Sequence, residues 1–511
     1  MSQLNSFART LTIPRWSACL GVLLGTALYC GFLAANSTIV AGGSDSSGYL
    51  NSARLLAAGR LQADLRVPVE FGPQAALDRS HFTPLGFFSY AGNPRLTPTY
   101  PSGLPLHFAL GSRIFGWRIG LLVIEIGAAF GAIVLCYAVA RELGLGGWFA
   151  TAGAVTLGLC PVFLFSSIQP LSDTLATLWC LAAMLAALRS RRTAGWAGAC
   201  GAALGIAVLV RPTNIVLLPA LVVVLGFDWR RLGLAILGGL PALVWLALYN
   251  RALYGGVLRS GYGDLQDAFA LHNAWPTTRH FAHWLVLLLP AILVGLPFAA
   301  IMRPAGRGRH LTALALWFGA ITGLYACYEV SHEVWWCLRF ILPGIPALII
   351  GGLLGLETIS MLIPVRWADR YRIGVALMLG GWAIGGSWYW TRKLGVQYIR
   401  GYEQVYADAT HAAKAQLPPN ALVVAFHLSG ALYYYTEFPV LRWDTADTAD
   451  FAHYAALAQK TGRPICAVLY DVEVSDALHG HFPGAWERIG TVKNVGLWRL
   501  TPSPAAPGMP R

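Results

Sequence analysis

Residues 117–140 read WRIGLLVIEIGAAFGAIVLCYAVA, an apolar run interrupted by one arginine and one glutamate. The ~30 Å hydrocarbon core of a bilayer is crossed by about 20 helical residues, so this run predicts a membrane-spanning helix. About eleven runs of this kind occur along the chain. They cover residues 17–36, 117–140, 148–165, 171–188, 194–210, 214–226, 232–249, 281–302, 311–327, 340–362 and 373–389.

Composition leads to the same class. The chain has 511 residues, of which 56% are hydrophobic and only 12% are charged, against roughly 25% charged in a typical soluble domain. The mean hydropathy is +0.55. The sequence therefore predicts a polytopic α-helical membrane protein with about eleven transmembrane helices.

The net charge of +13 comes from short arginine clusters between the apolar runs. Such clusters are typical of cytoplasmic loops, so no nucleic-acid partner is predicted. Every second loop is basic, with clusters at 189–192, 230–231, 303–309 and 366–372. We therefore expect a multi-pass membrane protein with its N-terminus inside, and with the connections 39–116, 251–280 and 328–339 and the C-terminal part on the outer, non-cytoplasmic side.

Three regions are predicted. Residues 1–395 form a transmembrane module, and its outer loop 39–116 is too long for a simple helix–helix connection. Two juxtamembrane helices are expected in that loop, one on each side of a polar middle. Residues 401–500 alternate short apolar runs with helical patterns and predict a small extracytoplasmic α/β domain. Residues 501–511 are rich in proline and predict a disordered tail.

Ten ionisable residues lie next to predicted spans on the outer side, where charge is costly unless it is paired or functional. They are Asp45, Arg54, Asp78, Asp173, Arg211, Asp264, Glu329, His332, Glu333 and Arg339. Asp45 lies in AGGSDSSGYLNSARLLAAG (41–59), and Asp173 opens a span in QPLSDTLATLW. Either aspartate can simply stabilise a helix start, as a cap or a dipole partner, or can be functional. Arg211 in LVRPTN can be an interfacial cation that extends its charged end to water, and Arg339 in VWWCLRFILPGIP can be a membrane anchor beside two tryptophans.

A metal site is a further alternative. Glu329, His332 and Glu333 offer oxygen and nitrogen ligands to a divalent ion. The segment HEVWW lacks the second histidine of HExxH, so a zinc-protease helix is excluded.

Several motifs, in this order, resemble the type C glycosyltransferases: SDSSGYLNSARLLAAG, YPSGLPLHFAL, QPLSDTLA, GIAVLVRPTNIVLLP, YGGVLRSGYGD and WWCLRFILPGIP. The resemblance covers about residues 10–395 and is strongest to protein-mannosyltransferase-like, lipid A aminoarabinose-transferase-like and lipopolysaccharide-core-decorating enzymes. The sequence departs from the family in one respect. The family often carries a second acidic residue beside the first-loop aspartate, and here the neighbours of Asp45 are Ser44 and Ser46.

The resemblance implies a function in glycan biosynthesis of the cell envelope, in the bacterial inner membrane with the active site on the periplasmic side. Such enzymes transfer a sugar, with inversion, from a polyprenyl-phosphate donor to a hydroxyl of a lipid, glycan or protein. It implies Asp45 as the base that takes the acceptor proton and Asp173 as a second carboxylate. Arg339 and Arg211 are expected at the donor phosphate, because a guanidinium matches phosphate oxygens. Residues expected around the substrate cavity are Tyr49, Arg54, Tyr100, Tyr262, Trp335 and Trp336.

Two other classes remain open. A transporter or flippase of lipid-linked saccharides is also polytopic, but transporters tend to show internal repeats, and the two halves of this chain show no self-similarity. A non-catalytic membrane protein of the same fold is the third possibility, since fold does not imply function.

Overall fold

The computed structural model describes residues 15–72, 77–90, 95–263, 268–302 and 308–501. Except for Thr501, the predicted disordered tail lies outside the described residues. The α-helices in chain order are α1 (Arg15–Asn36), α2 (Ser44–Ala57), α3 (Gly103–Phe115), α4 (Trp117–Glu142), α5 (Gly147–Leu159), α6 (Pro161–Ser167), α7 (Ser172–Arg189), α8 (Trp196–Val210), α9 (Leu218–Leu225), α10 (Trp229–Tyr254), α11 (Ala274–Leu288), α12 (Pro290–Met302), α13 (Gly308–Ala326), α14 (Ile345–Ile359), α15 (Val365–Lys393), α16 (Ile399–Gln416), α17 (Ser429–Tyr435) and α18 (Thr448–Lys460).

The chain is a helical membrane protein. Among the described residues, three helical segments are long and apolar enough to cross a bilayer without a break: α4, α10 and the continuous segment Trp335–Leu362. Two bent pairs raise the number to five if each pair is one span, and further apolar helices are shorter. The predicted number of eleven spans is not established by these lengths and stays a prediction.

Prolines mark both bends. α5 and α6 meet at 58° just before Pro161, and the segment Leu271–Leu288 meets α12 at 106° just before Pro290. Proline has no amide hydrogen and its ring clashes with the preceding turn, so a helix rarely continues through it. Both prolines lie inside apolar runs of the sequence, 148–165 and 281–302.

Glycines allow a close contact between α8 and α10 in the membrane part. On α8, a Cβ at Gly201 would meet the carbonyl oxygen of Ala235 on α10, and a Cβ at Gly238 on α10 would meet the carbonyl oxygen of Gly198. Small residues let helix backbones approach in a bilayer, where van der Waals packing drives association. This contact packs the first half of α8 against α10.

The long loop after α1 contains both expected helices. Along the chain, α2 precedes and α3 follows a small antiparallel sheet. Its strands are β1 (Ala63–Asp64), β2 (Phe87–Ser89) and β3 (Arg95–Pro98), in the order β1-β3-β2. Residues 46–53 of α2 are buried. The helix is therefore held on most of its surface, which fixes the position of its first turn.

The chain after α15 forms a second, mixed sheet. Its order is β5-β4-β6-β8-β7, with β4 parallel to β5 and β6, and β8 antiparallel to β6 and β7. Its boundaries as a domain stay a prediction. The strands are β4 (Leu422–Val424), β5 (Val440–Leu441), β6 (Ile465–Tyr470), β7 (Trp486–Val492) and β8 (Val495–Leu500).

The first loop and the C-terminal sheet share a hydrophobic core. The ring of Phe71 stacks on Tyr454 with centroids 5.6 Å apart, and Phe82 meets the same tyrosine edge-on at 5.1 Å. All three side chains are buried. The two regions therefore lie on the same side of the membrane-spanning helices, and α2 lies between the membrane part and the C-terminal part.

Candidate active site

Four of the ten ionisable residues considered in the sequence form one cluster, and Asp264 lies outside the described residues. Nη2 of Arg339 donates to Oδ2 of Asp45 at 2.5 Å, and Nη1 of Arg211 donates to Oδ1 of Asp173 at 2.5 Å. The two pairs are linked, because Nη1 of Arg339 lies 3.7 Å from Oδ2 of Asp173. Four separate parts of the chain thus place two guanidinium groups and two carboxylates at one point.

Helix ends and an irregular segment bring these side chains together. Asp45 and Asp173 lie in the first turns of α2 and α7, where the helix dipole favours negative charge. Arg211 follows the last residue of α8 in an extended conformation, ahead of Pro212. Arg339 lies in a 3₁₀-helix, Trp335–Gly344, that leads into α14.

Asp45 is not the N-cap of α2. The N-cap is Gly43, which has no side chain to cap the helix, and the Asp45 carboxylate is bound by Arg339. Burial raises the pKa of this carboxyl, but the charge and hydrogen bond of Arg339 outweigh burial and hold the pKa below its ordinary value of 3.8. A hydrogen bond from Tyr100 acts in the same direction. In this state Asp45 is an anion and a weak base.

Asp173 is the most deeply buried member of the cluster, with 1% of its side chain exposed. A buried carboxylate that lost its cation would be strongly destabilising. Loss of Arg211 would therefore leave Asp173 buried without its ion-pair partner. The rings of Tyr325 and Phe340 lie 5.5 and 5.6 Å from the Arg211 guanidinium and enclose the pair.

An open cavity of about 520 Å³ adjoins the cluster. Asp45 and Arg339 form part of its wall, and Phe165, Trp335 and Trp336 provide an aromatic side, with Trp336 stacked on Phe165 at 6.1 Å. Ligand cavities commonly measure about 300–1,000 Å³. A cavity with apolar walls and a few convergent charges is typical of a ligand site.

Of the other predicted cavity residues, only Trp335 and Trp336 belong to this wall. Tyr49 donates to Oγ of Ser172 at 3.0 Å from a buried position behind the cluster, and the Tyr100 hydroxyl lies 2.7 Å from Oγ of Ser44.

Tyr262 and Arg54 do not belong to the wall of this cavity. The Tyr262 ring meets Tyr100 edge-on at 6.0 Å, and its phenol interacts with the charges of Asp45 and Arg211. Arg54 donates to the backbone oxygen of Tyr434 at 2.6 Å, and its guanidinium lies 3.3 Å from the centre of that ring. This arginine fastens α2 to α17 and does not line the cavity.

The predicted metal site does not form. Among the residues that the structure describes, no three His, Cys, Asp or Glu side chains are grouped so that they could hold an ion. Glu329, His332 and Glu333 follow one another in sequence, but the His332 ring nitrogen Nδ1 lies 3.2 Å from the Thr277 hydroxyl instead. The three side chains are close in sequence but do not converge on one point.

Sequence reasoning missed one acidic residue of the cavity. Glu403 on α16 lines the same wall as Asp45 and Arg339. It lies outside every quoted motif, in the C-terminal part of the chain. The sequence signal for it was indirect. The type C glycosyltransferases often have a second acidic residue beside the first-loop aspartate, and Asp45 lacks one, so a second carboxylate could have been sought elsewhere in the chain.

Comparisons with known proteins agree on the fold. No protein-family model matches the sequence, and no curated protein matches it either. Among solved structures, ArnT from Cupriavidus metallidurans bound to undecaprenyl phosphate superposes with a TM-score of 0.57 at 15% identity, over 96% of this chain and 100% of that one. The Archaeoglobus fulgidus oligosaccharyltransferase in its apo form gives 0.54 at 13%, over 89% and 70%.

A third structure is AglB of Archaeoglobus fulgidus in complex with an inhibitory peptide and a dolichol-phosphate. Its TM-score is 0.53 at 14% identity, over 94% of this chain and 74% of that one. Identities this low show the fold alone. The similarity extends over nearly the whole chain, and the expectation drawn from the motifs is confirmed at that level: the chain has the fold of the type C glycosyltransferases.

Proposed function

We propose that this protein is a membrane glycosyltransferase. It transfers a sugar from a polyprenyl-phosphate donor to a hydroxyl of a lipid, glycan or protein, with inversion, at the periplasmic face of the bacterial inner membrane. The observation that carries this proposal is the position of Arg339, a cation held between two carboxylates at the wall of an open, aromatic-sided cavity.

Arg339 is suited to a phosphate. Its Nη atoms face Asp45 and Asp173, while Nε has no hydrogen-bond partner among the described residues although it is shielded from solvent. A donor phosphodiester carries one negative charge, and its phosphate gains another as the glycosidic bond breaks. A guanidinium fixed beside the phosphate stabilises the charge that develops.

The rest of the cluster fits the same reaction. Arg211 and Asp173 hold the second guanidinium and the second carboxylate in fixed positions, which limits reorganisation during the reaction. Trp335 and Trp336 offer flat apolar surfaces for a sugar face or the first prenyl units. Two of the structures with this fold were solved with undecaprenyl phosphate or dolichol-phosphate, which supports a lipid phosphate as the donor.

A deletion strain tests the proposal. Mass spectrometry of its surface glycans and glycolipids should show one glycoform lacking a single sugar. Purified protein added to detergent-solubilised membranes of that strain, which hold the donor pool and the unmodified acceptor, should restore the mass. A transporter has no compartments to connect in detergent, so restoration there distinguishes an enzyme from a transporter.

The Asp45→Asn variant is the matched comparison in that assay. It keeps the size of the side chain but loses the charge that holds Arg339. We expect transfer to fall by ~10²-fold, the order of loss seen when one preorganised electrostatic contact is removed. Unchanged glycoforms in the deletion strain, together with no binding of undecaprenyl phosphate to the purified protein, would refute the proposed function.

A further inference from the structure

Glu403 reaches the candidate active site from the other end of the chain. It lies in the first turns of α16 and shares the cavity wall with Gly43, Asp45 and Arg339. Its carboxylate packs directly on Gly42, where an added Cβ would overlap with Oε2. The C-terminal part of the protein thus inserts a carboxylate beside the first turn of α2.

The surroundings of Glu403 differ from those of Asp45. Its Oε2 is shielded from solvent and has no hydrogen-bond partner among the described residues. The backbone N–H of Gly43 donates a hydrogen bond to the carboxylate. The titratable or charged groups around it are Asp45, Arg339 and Tyr402, which share the cavity wall, and the phenols of Tyr406, Tyr435 and Tyr470.

The pKa of Glu403 is raised to about 7. Burial is the largest cause and the nearby charge of Asp45 adds to it, while the hydrogen bond from Gly43 acts in the opposite direction. A general base works best when its pKa lies near the working pH. Asp45 has the opposite environment, because Arg339 keeps the pKa of that carboxyl low. The pKa values of the two carboxyl groups in this cavity are therefore shifted in opposite directions. In active sites such a difference commonly assigns acid and base roles to two carboxyl groups.

We propose that Glu403, and not Asp45, is the general base that accepts the proton of the acceptor hydroxyl. This inference rests on the proposed function. The acceptor oxygen forms a bond to the anomeric carbon as the bond between that carbon and the phosphate oxygen breaks. The bonding pair leaves on the phosphate beside Arg339, and the hydroxyl proton passes to Glu403, which later releases it to water. Asp45 then acts as a positioning residue for Arg339.

The test uses the full-length protein with solubilised membranes of the deletion strain as the source of donor and acceptor. Wild-type kcat/KM should rise with pH through about 7, the pKa of Glu403, and then level off. Glu403→Gln should lower the plateau by ~10²-fold, the usual contribution of a general base, and should remove the dependence on pH near 7. The control is Asp408→Asn, the same acid-to-amide change on α16, where Asp408 accepts from Gln404 at 3.0 Å outside the cavity wall.

Binding of undecaprenyl phosphate separates this inference from the proposed function. Glu403→Gln should bind it as the wild type does, because the base lies on the acceptor side. Failure of wild type to bind it or to transfer sugar would refute the proposed function itself. Transfer by Glu403→Gln at the wild-type rate, a lower rate with the pH dependence intact, or an equal loss in Asp408→Asn would each overturn the role of Glu403.

A second variant tests the role while leaving both carboxylates in place. Gly42→Ala adds a methyl group where the Glu403 carboxylate lies, and the flexible side chain can move aside without disturbing the backbone. We expect a folded protein with unchanged binding of undecaprenyl phosphate and a reduced rate of transfer. The matched control is Gly401→Ala on α16, outside the cavity wall, where an added Cβ would meet nothing within 4 Å. Equal rates for the two variants would overturn the inference.

Discussion

Nη2 of Arg339 lies 2.5 Å from Oδ2 of Asp45, and this contact joins two residues that are 294 positions apart in the chain. It links the first turn of α2, outside the membrane part, to the segment that begins the apolar stretch Trp335–Leu362. A phosphate bound at Arg339 must share the guanidinium with Asp45. We therefore expect binding of the proposed donor lipid to be coupled to the position of α2.

Replacing Arg339 should weaken lipid-phosphate binding. A hydrogen bond to a charged group contributes about 1.5–3 kcal/mol, so Arg339→Ala should raise the Kd for undecaprenyl phosphate roughly 10- to 150-fold. Titration of the protein in nanodiscs, followed by tryptophan fluorescence from Trp335 and Trp336, measures this. Arg488→Ala, which removes an arginine paired with Asp471 at 2.9 Å in the C-terminal sheet, is the control. Equal affinities of the Arg339 variant and the wild type would move the phosphate site away from this cluster.

The motifs of the sequence found the charged cluster but not its geometry. Asp45, Asp173, Arg211 and Arg339 each stand next to a span, where a charge is unusual, and this singled them out. Which carboxylate pairs with which arginine depends on how α2, α7 and α8 pack, and no local pattern contains that information. Arg54 shows the same limit, because its partner Tyr434 is 380 positions away.

Hydropathy located the membrane segments but not their breaks. The apolar runs 148–165 and 281–302 continue through Pro161 and Pro290, since a proline does not interrupt hydrophobicity, yet the helices bend there by 58° and 106°. The sequence did not predict Glu403 as a residue of the cavity, for a different reason. It belongs to an amphipathic helix of the C-terminal part, and only the tertiary contact with Gly42 brings it to the cavity.

The buried pair of Asp173 and Arg211 should show strong coupling in folding stability. Removing one member leaves a buried charge without its partner, which costs about 3–5 kcal/mol, whereas replacing both is often nearly neutral. We expect Asp173→Asn alone to lower the midpoint of thermal unfolding in detergent markedly. The double variant Asp173→Asn/Arg211→Met should regain most of the loss. Arg211→Met alone is the second single variant. If the fall in unfolding midpoint of the double variant equals the sum of the falls in the two single variants, the pair does not stabilise the fold.

Cysteine labelling should show the orientation of the chain. We expect the C-terminal part on the periplasmic side. A cysteine at Val472, which is 83% exposed after β6, should react with a membrane-impermeant thiol reagent in intact cells. A cysteine at Val365, 92% exposed at the start of α15, lies in a predicted cytoplasmic loop and should react only after lysis. Wild-type protein measures the background of its own cysteines, and the reverse pattern of labelling would place the cavity on the cytoplasmic side.

Ionised Glu403 should reduce the stability of the folded protein. The folded state raises the pKa of this carboxyl from 4.5 to about 7, so the folded protein binds the proton more tightly than the unfolded chain does. The ionised form is therefore the destabilising one, and stability is lost as pH rises from 4.5 through about 7. Because a tenfold change in a proton-binding constant is ~1.4 kcal/mol, the loss is roughly 3 kcal/mol.

Glu403→Gln has no charge to bury, so its thermal unfolding midpoint should exceed that of the wild type above pH 7. The two midpoints should converge as the pH falls below 4.5, the ordinary pKa of the group. A structural role for the ionised carboxylate predicts the opposite sign at high pH. Thermal unfolding of both proteins at several pH values distinguishes the two, and Asp408→Asn, which replaces a more exposed carboxylate on the same helix, should follow the wild type throughout. A variant that is more stable than the wild type yet transfers sugar poorly is the outcome expected of a group kept for its chemistry.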